Sequence, residues 1–217
     1  MTYFIGFEIL LLSSLTVAKL IAFPRLPTSS KITLLERWST NFSLEIINRV
    51  IAITVSMLLI QNLNFKNAAS ENWFYFLFYI VVLDFTFYWR HRIYHRWFWF
   101  FHRTHHSDSG YDFSLSLRIH PIETLIQIIL FVSISLLMNI NQWHIFLAVH
   151  IFSVQALLSH LDYAIPKTSF TRILRNIFVF PDSHKFHHNP ENPDNHFGFL
   201  FSFWDTFFGT NQIKKID

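Results

Sequence analysis

The sequence predicts an all-α fold: an integral membrane bundle of about four to five membrane-embedded helices with a histidine-rich, two-metal cap on its cytoplasmic side. Three observations predict it. Of 217 residues, 52% are hydrophobic, 27 are Phe and only 14% are charged, a balance far from that of soluble domains. Apolar runs of membrane-crossing length alternate with short polar connections. The chain holds 13 His and no Cys, and its histidines gather in clusters at the ends of those runs. The length suits one domain, 1–217, with N-terminal membrane helices over 1–70 and a catalytic core over 71–210.

In chain order, Tyr3–Phe23 is a first apolar run. It lacks the charged start and small-residue cleavage site of a signal peptide, so a membrane helix is expected. Pro24 ends it, and Arg25–Thr40 is expected to be a polar, basic connection. Phe42–Leu63 is a second span, with Glu45, Asn48 and Arg49 near its start. Asn64–Glu71 is a short polar turn. Asn72–Trp89 is a third span that runs directly into Asp84–His106. After a loop at Ser107–Asp112, Pro121–Ile140 and Trp143–Leu158 form a membrane hairpin about Asn141-Gln142. From His160 the chain turns polar, with prolines at 166, 181, 190 and 193.

Basic residues orient the bundle. Arg25, Lys31 and Arg37 precede the second span, and Arg90, Arg92, Arg96 and Arg103 follow the third. The intervening loop holds Lys66, and the hairpin turn holds no cation. An even number of crossings separates the basic regions, which places them, and every histidine cluster, on the cytoplasmic side. No basic patch with interleaved aromatics marks a nucleic-acid partner.

Three clusters carry the chemistry: His91-x-x-x-His95, His102-x-x-His105-His106 and His184-x-x-His187-His188. Spacings of three and four put imidazoles on one helix face, where they can chelate. Buried imidazoles need partners, and neutral imidazole ligates Fe, Zn, Cu and Ni. Eight ligands exceed the needs of one ion, so two metals are expected. Without cysteine there are no thiolate-held Fe–S clusters or disulfides. The absence of Glu-x-x-His motifs sets the chain apart from soluble di-iron bundles. On one straight helix His91 and His106 would lie about 22 Å apart, so a single compact site requires a break within Arg96–Phe101. A zinc-dependent membrane hydrolase and a metal transporter or sensor remain open on these spacings alone.

The ordered set resembles the fatty acid hydroxylase/sterol desaturase superfamily. It comprises the three clusters, Asp84 with Tyr88, Arg118-Ile119-His120-Pro121-Ile122-Glu123, and Trp204-Asp205 with Phe208-Gly209-Thr210. The resemblance implies a membrane enzyme whose di-iron centre activates O2 against a lipid C–H bond, giving a hydroxylated or desaturated product. It implies the eight cluster histidines as ligands, and His160 as a further ligand before the third cluster. Relatives often place a His or Gln one turn earlier, where this chain has Ala156 beside Gln155. They usually have Asn before an aromatic-Gly pair, where this chain has His196-Phe197-Gly198 with Asn195 displaced by one. No flavin or nucleotide fingerprint is present, so electrons are expected from a ferredoxin or cytochrome b5-like partner with its reductase. Fatty acyl chains, sterols, carotenoids and ether lipids all remain open as substrates.

Supporting roles are expected for Asp84, Tyr88, His120 and His196. Asp84, inside an apolar span, must be partnered. Accepting from the outer nitrogen of a ligand imidazole would satisfy it, and pairing with an Arg is the alternative. His120 is read as a cap or a support, and His144 and His150 as packed or interfacial. Trp204 and Asp205 are expected to close the C-terminal segment over the site. Trp97–Phe101 is read as an interfacial aromatic belt.

Overall fold

The computed structural model describes residues 28–62, 72–108, 110–163, 165–190 and 194–211. The expected Tyr3–Phe23 span and the Asn64–Glu71 turn lie outside the described residues. Described residues form eight α-helices and one short 3-10 helix, with no strand longer than an isolated bridge. The fold class is all-α, as the sequence predicts.

Contacts divide the chain into two units, Met1–Thr40 and Asn41–Asp217. In the first, the described residues are helical from Thr28, and Thr40 Oγ1 donates back to the Glu36 carbonyl at 3.1 Å. This corrects the expected connection over Arg25–Thr40, because helix α1 runs Thr28–Asn62. Lys31–Thr40 contains neither Gly nor Pro, and Lys31, Leu34, Leu35, Glu36 and Arg37 are all good helix formers. Its polarity therefore did not preclude a helix. Over Asn41–Asn62 the helix exposes Ile46, Ile47, Val50, Ile53 and Leu58.

Helix α2 spans Trp73–Trp97 without interruption, and its N-cap Asn72 accepts from the Phe74 amide. Phe76, Tyr79, Ile80, Leu83 and Phe87 recur at spacings of three and four and form one buried stripe. The stripe packs on Ala148 and Phe152 of α5 (Gln142–Ser159) and on Ile140, with Phe131 and Ile134 of α4 (Pro121–Leu137) partly buried against it. Two tyrosines tie α2 to the hairpin: Tyr79 Oη meets Ser135 Oγ at 2.7 Å, and Tyr75 donates to the Met138 carbonyl at 2.6 Å. Asn141 caps α5 by accepting from the His144 amide. His144 is buried and stacked on Phe76.

The helix breaks where the histidine spacing requires it. Phe98, at φ −120°, separates α2 from α3 (Trp99–His106). Its amide still donates to the Tyr94 carbonyl, and its own carbonyl accepts from Phe101 and His102, so the joint costs little backbone hydrogen bonding. Five consecutive aromatics disfavour a continuous helix here. Trp97, Phe98 and Phe100 face outward, whereas the partly exposed Trp99 also packs against the rings of His95 and His106.

Among the described residues two helices are long and apolar enough to cross a membrane, Thr33–Leu59 within α1 and Gln142–Ser159, with Pro121–Leu137 shorter. This is fewer than the four to five embedded helices expected among all residues. The helix that holds the expected Asn72–Trp89 span, Trp73–Trp97, is not one of the two. Beyond α5 come α6 (Ser169–Arg175), α7 (Pro181–His187) and α8 (Phe203–Phe207).

Candidate metal centre

The break at Phe98 turns α3 back so that the second cluster meets the first. Helix α7 brings in the third, and the C-cap of α5 brings in His160. Nine histidines come together as two groups, His91, His95, His102, His106 and His187, and His105, His160, His184 and His188. Within each group the potential ligand atoms lie within 4.8 Å of one another. The groups adjoin, since the rings of His106 and His188 stack with centroids 4.3 Å apart.

The outer nitrogens determine which way the lone pairs point. His91 Nδ1 donates to the Phe197 carbonyl at 3.1 Å, and His187 Nδ1 to the Asn195 carbonyl at 2.6 Å. His160 Nδ1 donates to the Ala156 carbonyl at 2.7 Å, and His105 Nδ1 to the Arg118 carbonyl at 3.3 Å. His102 Nδ1 donates to Glu123 Oε2 at 2.9 Å. With the proton on Nδ1, each Nε2 presents a lone pair inward, the arrangement that ligand imidazoles adopt.

Two observations test whether these residues fit metal ions. In the first group, Nε2 of all five histidines is buried without a hydrogen-bond partner. Five such atoms in one place would be costly unless a cation accepted them. In the second group, Nε2 of His160 lies 3.2 Å from that of His105 and 3.0 Å from that of His184, which is 3.3 Å from that of His188. His105 and His160 both carry their proton on the outer nitrogen, so those lone pairs face each other. A metal–nitrogen bond of about 2.1 Å at right angles would set neighbouring ligand nitrogens about 3.0 Å apart. The donors fit two metal ions.

Burial pushes the pKa values of these histidines down, and neighbouring imidazoles add to it for all but His160. His160 falls to about 4 and His187 to about 3 with burial as the leading cause, and His91, His102, His105, His184 and His188 fall well below the usual value. The imidazoles are therefore neutral at pH 7, as ligation requires.

Asp84 corrects the expected role. Its carboxylate accepts from the amides of Leu200 (2.8 Å) and Phe201 (3.0 Å) and from Trp204 Nε1 (3.0 Å), rather than from an imidazole or an Arg. It pins the C-terminal segment to α2. The carboxylate that does reach a ligand is Glu123, in the first turn of α4, and sequence reasoning missed it. The available signal was the same as for Asp84, an acid placed in an apolar run. His120 caps α4, its Nδ1 accepting from the Ile122 amide at 3.2 Å.

Asp205 organises the rest of the closing segment. It accepts from the amides of Phe197 (2.7 Å) and Gly198 (2.9 Å) and from Thr210 Oγ1 (2.7 Å). Burial raises its pKa to about 6, partly offset by these bonds. A Cβ at Gly198 would lie 2.6 Å from the Phe201 carbonyl oxygen and 2.7 Å from Asp205 Oδ2, so the turn requires glycine. Tyr88 Oη meets Thr210 Oγ1 at 2.9 Å, which links it to Asp205 and not directly to a ligand. His196 stands at φ 57° with its amide on the Thr210 carbonyl, and it joins neither imidazole group. It shapes the turn from which Asn195 and Phe197 present their carbonyls. Gln155 donates to the Val179 and Phe199 carbonyls, holding the same segment.

A sequence profile of the family described as fatty acid hydroxylase matches residues 76–210, more than half of the chain and all nine clustered histidines. Among curated proteins, alkylglycerol monooxygenase of Caenorhabditis elegans is 27% identical over 176 residues, covering 78% of this chain and 33% of that protein. The chain thus spans about a third of the length of the curated relative it matches. No solved structure matches.

Proposed function

The chain belongs to the fatty acid hydroxylase family, and on that premise we propose that it is a membrane-associated monooxygenase or desaturase acting on a lipid C–H bond. The observation that carries this reading is the convergence of nine imidazoles into two adjoining groups whose lone pairs point inward. The relative named alkylglycerol monooxygenase supports oxygenation of a lipid as the reaction class. Two iron ions, with O2 as co-substrate, would supply the oxidising power against the C–H bond.

The chain's own residues prepare the place for that chemistry. The backbone carbonyls of Ala156, Arg118, Asn195 and Phe197 fix tautomers and ring orientations, and Glu123 places a carboxyl oxygen as acceptor behind His102. Phe197 packs edge-on against His91, with ring centroids 5.4 Å apart, and helps keep water from the imidazoles. Electrons would come from a separate ferredoxin or cytochrome b5-like donor with its reductase. The basic residues Arg90, Arg92 and Arg96 at the end of α2, with Arg103 in α3, support a cytoplasmic position for the centre.

The decisive experiment is metal analysis of anaerobically purified protein followed by exposure to O2 and candidate lipids. Two irons per chain and O2-dependent oxidation of a lipid are expected. A single zinc with an oxygen-independent reaction would overturn the reading.

A further inference from the structure

We propose that the surface formed by α6 and α8 rests in the headgroup layer of the same membrane, as an additional attachment between the histidine cap and lipid. The inference goes beyond the metal-centre reading and does not rest on it.

Helix α6 has a capping box, in which Thr168 and Thr171 bond reciprocally, yet none of its residues is buried. A seven-residue helix is far shorter than the roughly 12–15 residues at which an isolated helix becomes even marginal in water. Its large apolar side chains face outward all the same: Phe170 is 69% and Ile173 61% exposed. Ile177 and Phe178, just beyond the helix, are exposed as well.

The patch continues onto α8. Ser202 donates from its amide to the Ile177 carbonyl at 2.9 Å and from Oγ to the Arg175 carbonyl at 2.6 Å, and Phe178 bridges to Phe201. On α8 itself Phe207 is 78% exposed. The two short helices thus present one joined apolar surface.

Charge and tether identify the occupant. Lys167 and Arg172 are exposed beside the patch, and among the described residues no ion pair involves either. The two carboxylates nearest in sequence to α6 are both taken up, Asp182 by Arg175 through two bonds of 2.6 and 2.7 Å and Asp162 by Lys185. An aromatic and aliphatic centre with a cationic rim fits an anionic lipid surface. Only residues 160–168 separate α6 from α5, a candidate membrane span. Fully extended they reach about 30 Å, so the bilayer surface is never far from α6.

The chain has no cysteine, which makes a direct test possible. Phe170→Cys, Ile173→Cys and Phe207→Cys, each labelled with an environment-sensitive fluorophore, are reconstituted as full-length protein in phosphatidylcholine/phosphatidylglycerol vesicles. Asp194→Cys, on an exposed loop, is the control. Blue-shifted emission, with most of the intensity lost to nitroxide-bearing lipid and little to aqueous iodide, is expected at the three patch positions, and the reverse at the control. Labels quenched by iodide would overturn the proposal. So would labels shielded from both quenchers, which would mean that a second copy or another protein covers the patch. Three positions on two helices keep the test intact if one variant misfolds. Metal content, measured in parallel, reports on the histidine centre separately.

Discussion

The α2–α5 core and the histidine centre lie at successive levels of the same helices but are built on different principles. The core fills space with Phe76, Leu83, Phe87 and Phe152, and hydroxyl bonds such as Tyr79–Ser135 are its polar exceptions. Its neighbours are interchangeable in chemistry, and its energy scales with area and packing. The centre gathers imidazoles whose inner atoms have no protein partner outside the cluster, and its geometry comes from bonds made on the far side of each ring. The core accordingly stabilises the fold by itself, whereas the centre becomes favourable only when its lone pairs meet a cation.

Substitutions and pH should separate the two. The largest effect is expected from His105→Ala, which removes a ligand facing His160 and should abolish metal binding and activity together; full activity in that variant would refute the ligand assignment. Acid should act on the centre through its imidazoles. In the metal-free protein the clustered imidazoles are held below their unfolded value of about 6.5, His160 at about 4 and His187 at about 3. Between those values the unfolded chain binds more protons, so stability should be intact above about 6.5 and fall steadily as the pH drops below it. Thermal unfolding of the metal-free protein across that range tests this, and a flat profile would contradict the burial of the imidazoles.

On the side of the core, Phe87→Ala should cost about 3–5 kcal/mol of stability while leaving the metal count per folded chain unchanged. A parallel loss of metal in the folded fraction would show that the two regions are not independent. Glu123→Gln keeps an acceptor for His102 Nδ1 but a weaker one than the carboxyl group, and metal affinity should drop about 10–100-fold, read by competition with a chelator. The smallest effect is expected from Tyr79→Phe. Ser135 keeps its bond to the Phe131 carbonyl, so the loss should be about 1 kcal/mol in denaturant unfolding, with metal affinity unaltered.

The sequence was most informative where one periodic pattern did one job. Histidine spacing alone demanded a break within Arg96–Phe101, and the chain breaks at Phe98. The apolar runs at 121–140 and 143–158 correspond to α4 and α5. It was least informative where a side chain's partner comes from a distant segment. Asp84 and Glu123 are both acids in apolar runs, and nothing local reveals that one holds backbone amides 116 and 117 residues away while the other backs a ligand 21 residues earlier. The carbonyls of Asn195 and Phe197 were beyond reach of any motif, because every residue carries the same carbonyl. The start of α1 was misread for another reason: polarity at Arg25–Thr40 speaks of surroundings, and helicity depends on propensity.

The closing segment also bears on when the centre can be assembled during synthesis. The clustered histidines run from His91 to His188, but the carbonyls that orient His91 and His187 come from residues 197 and 195, and Asp205 holds that turn in place. A nascent chain that has emitted all nine clustered histidines still lacks the braces for two of them. Productive capture of metal there therefore awaits the emergence of residue 205 from the ribosome.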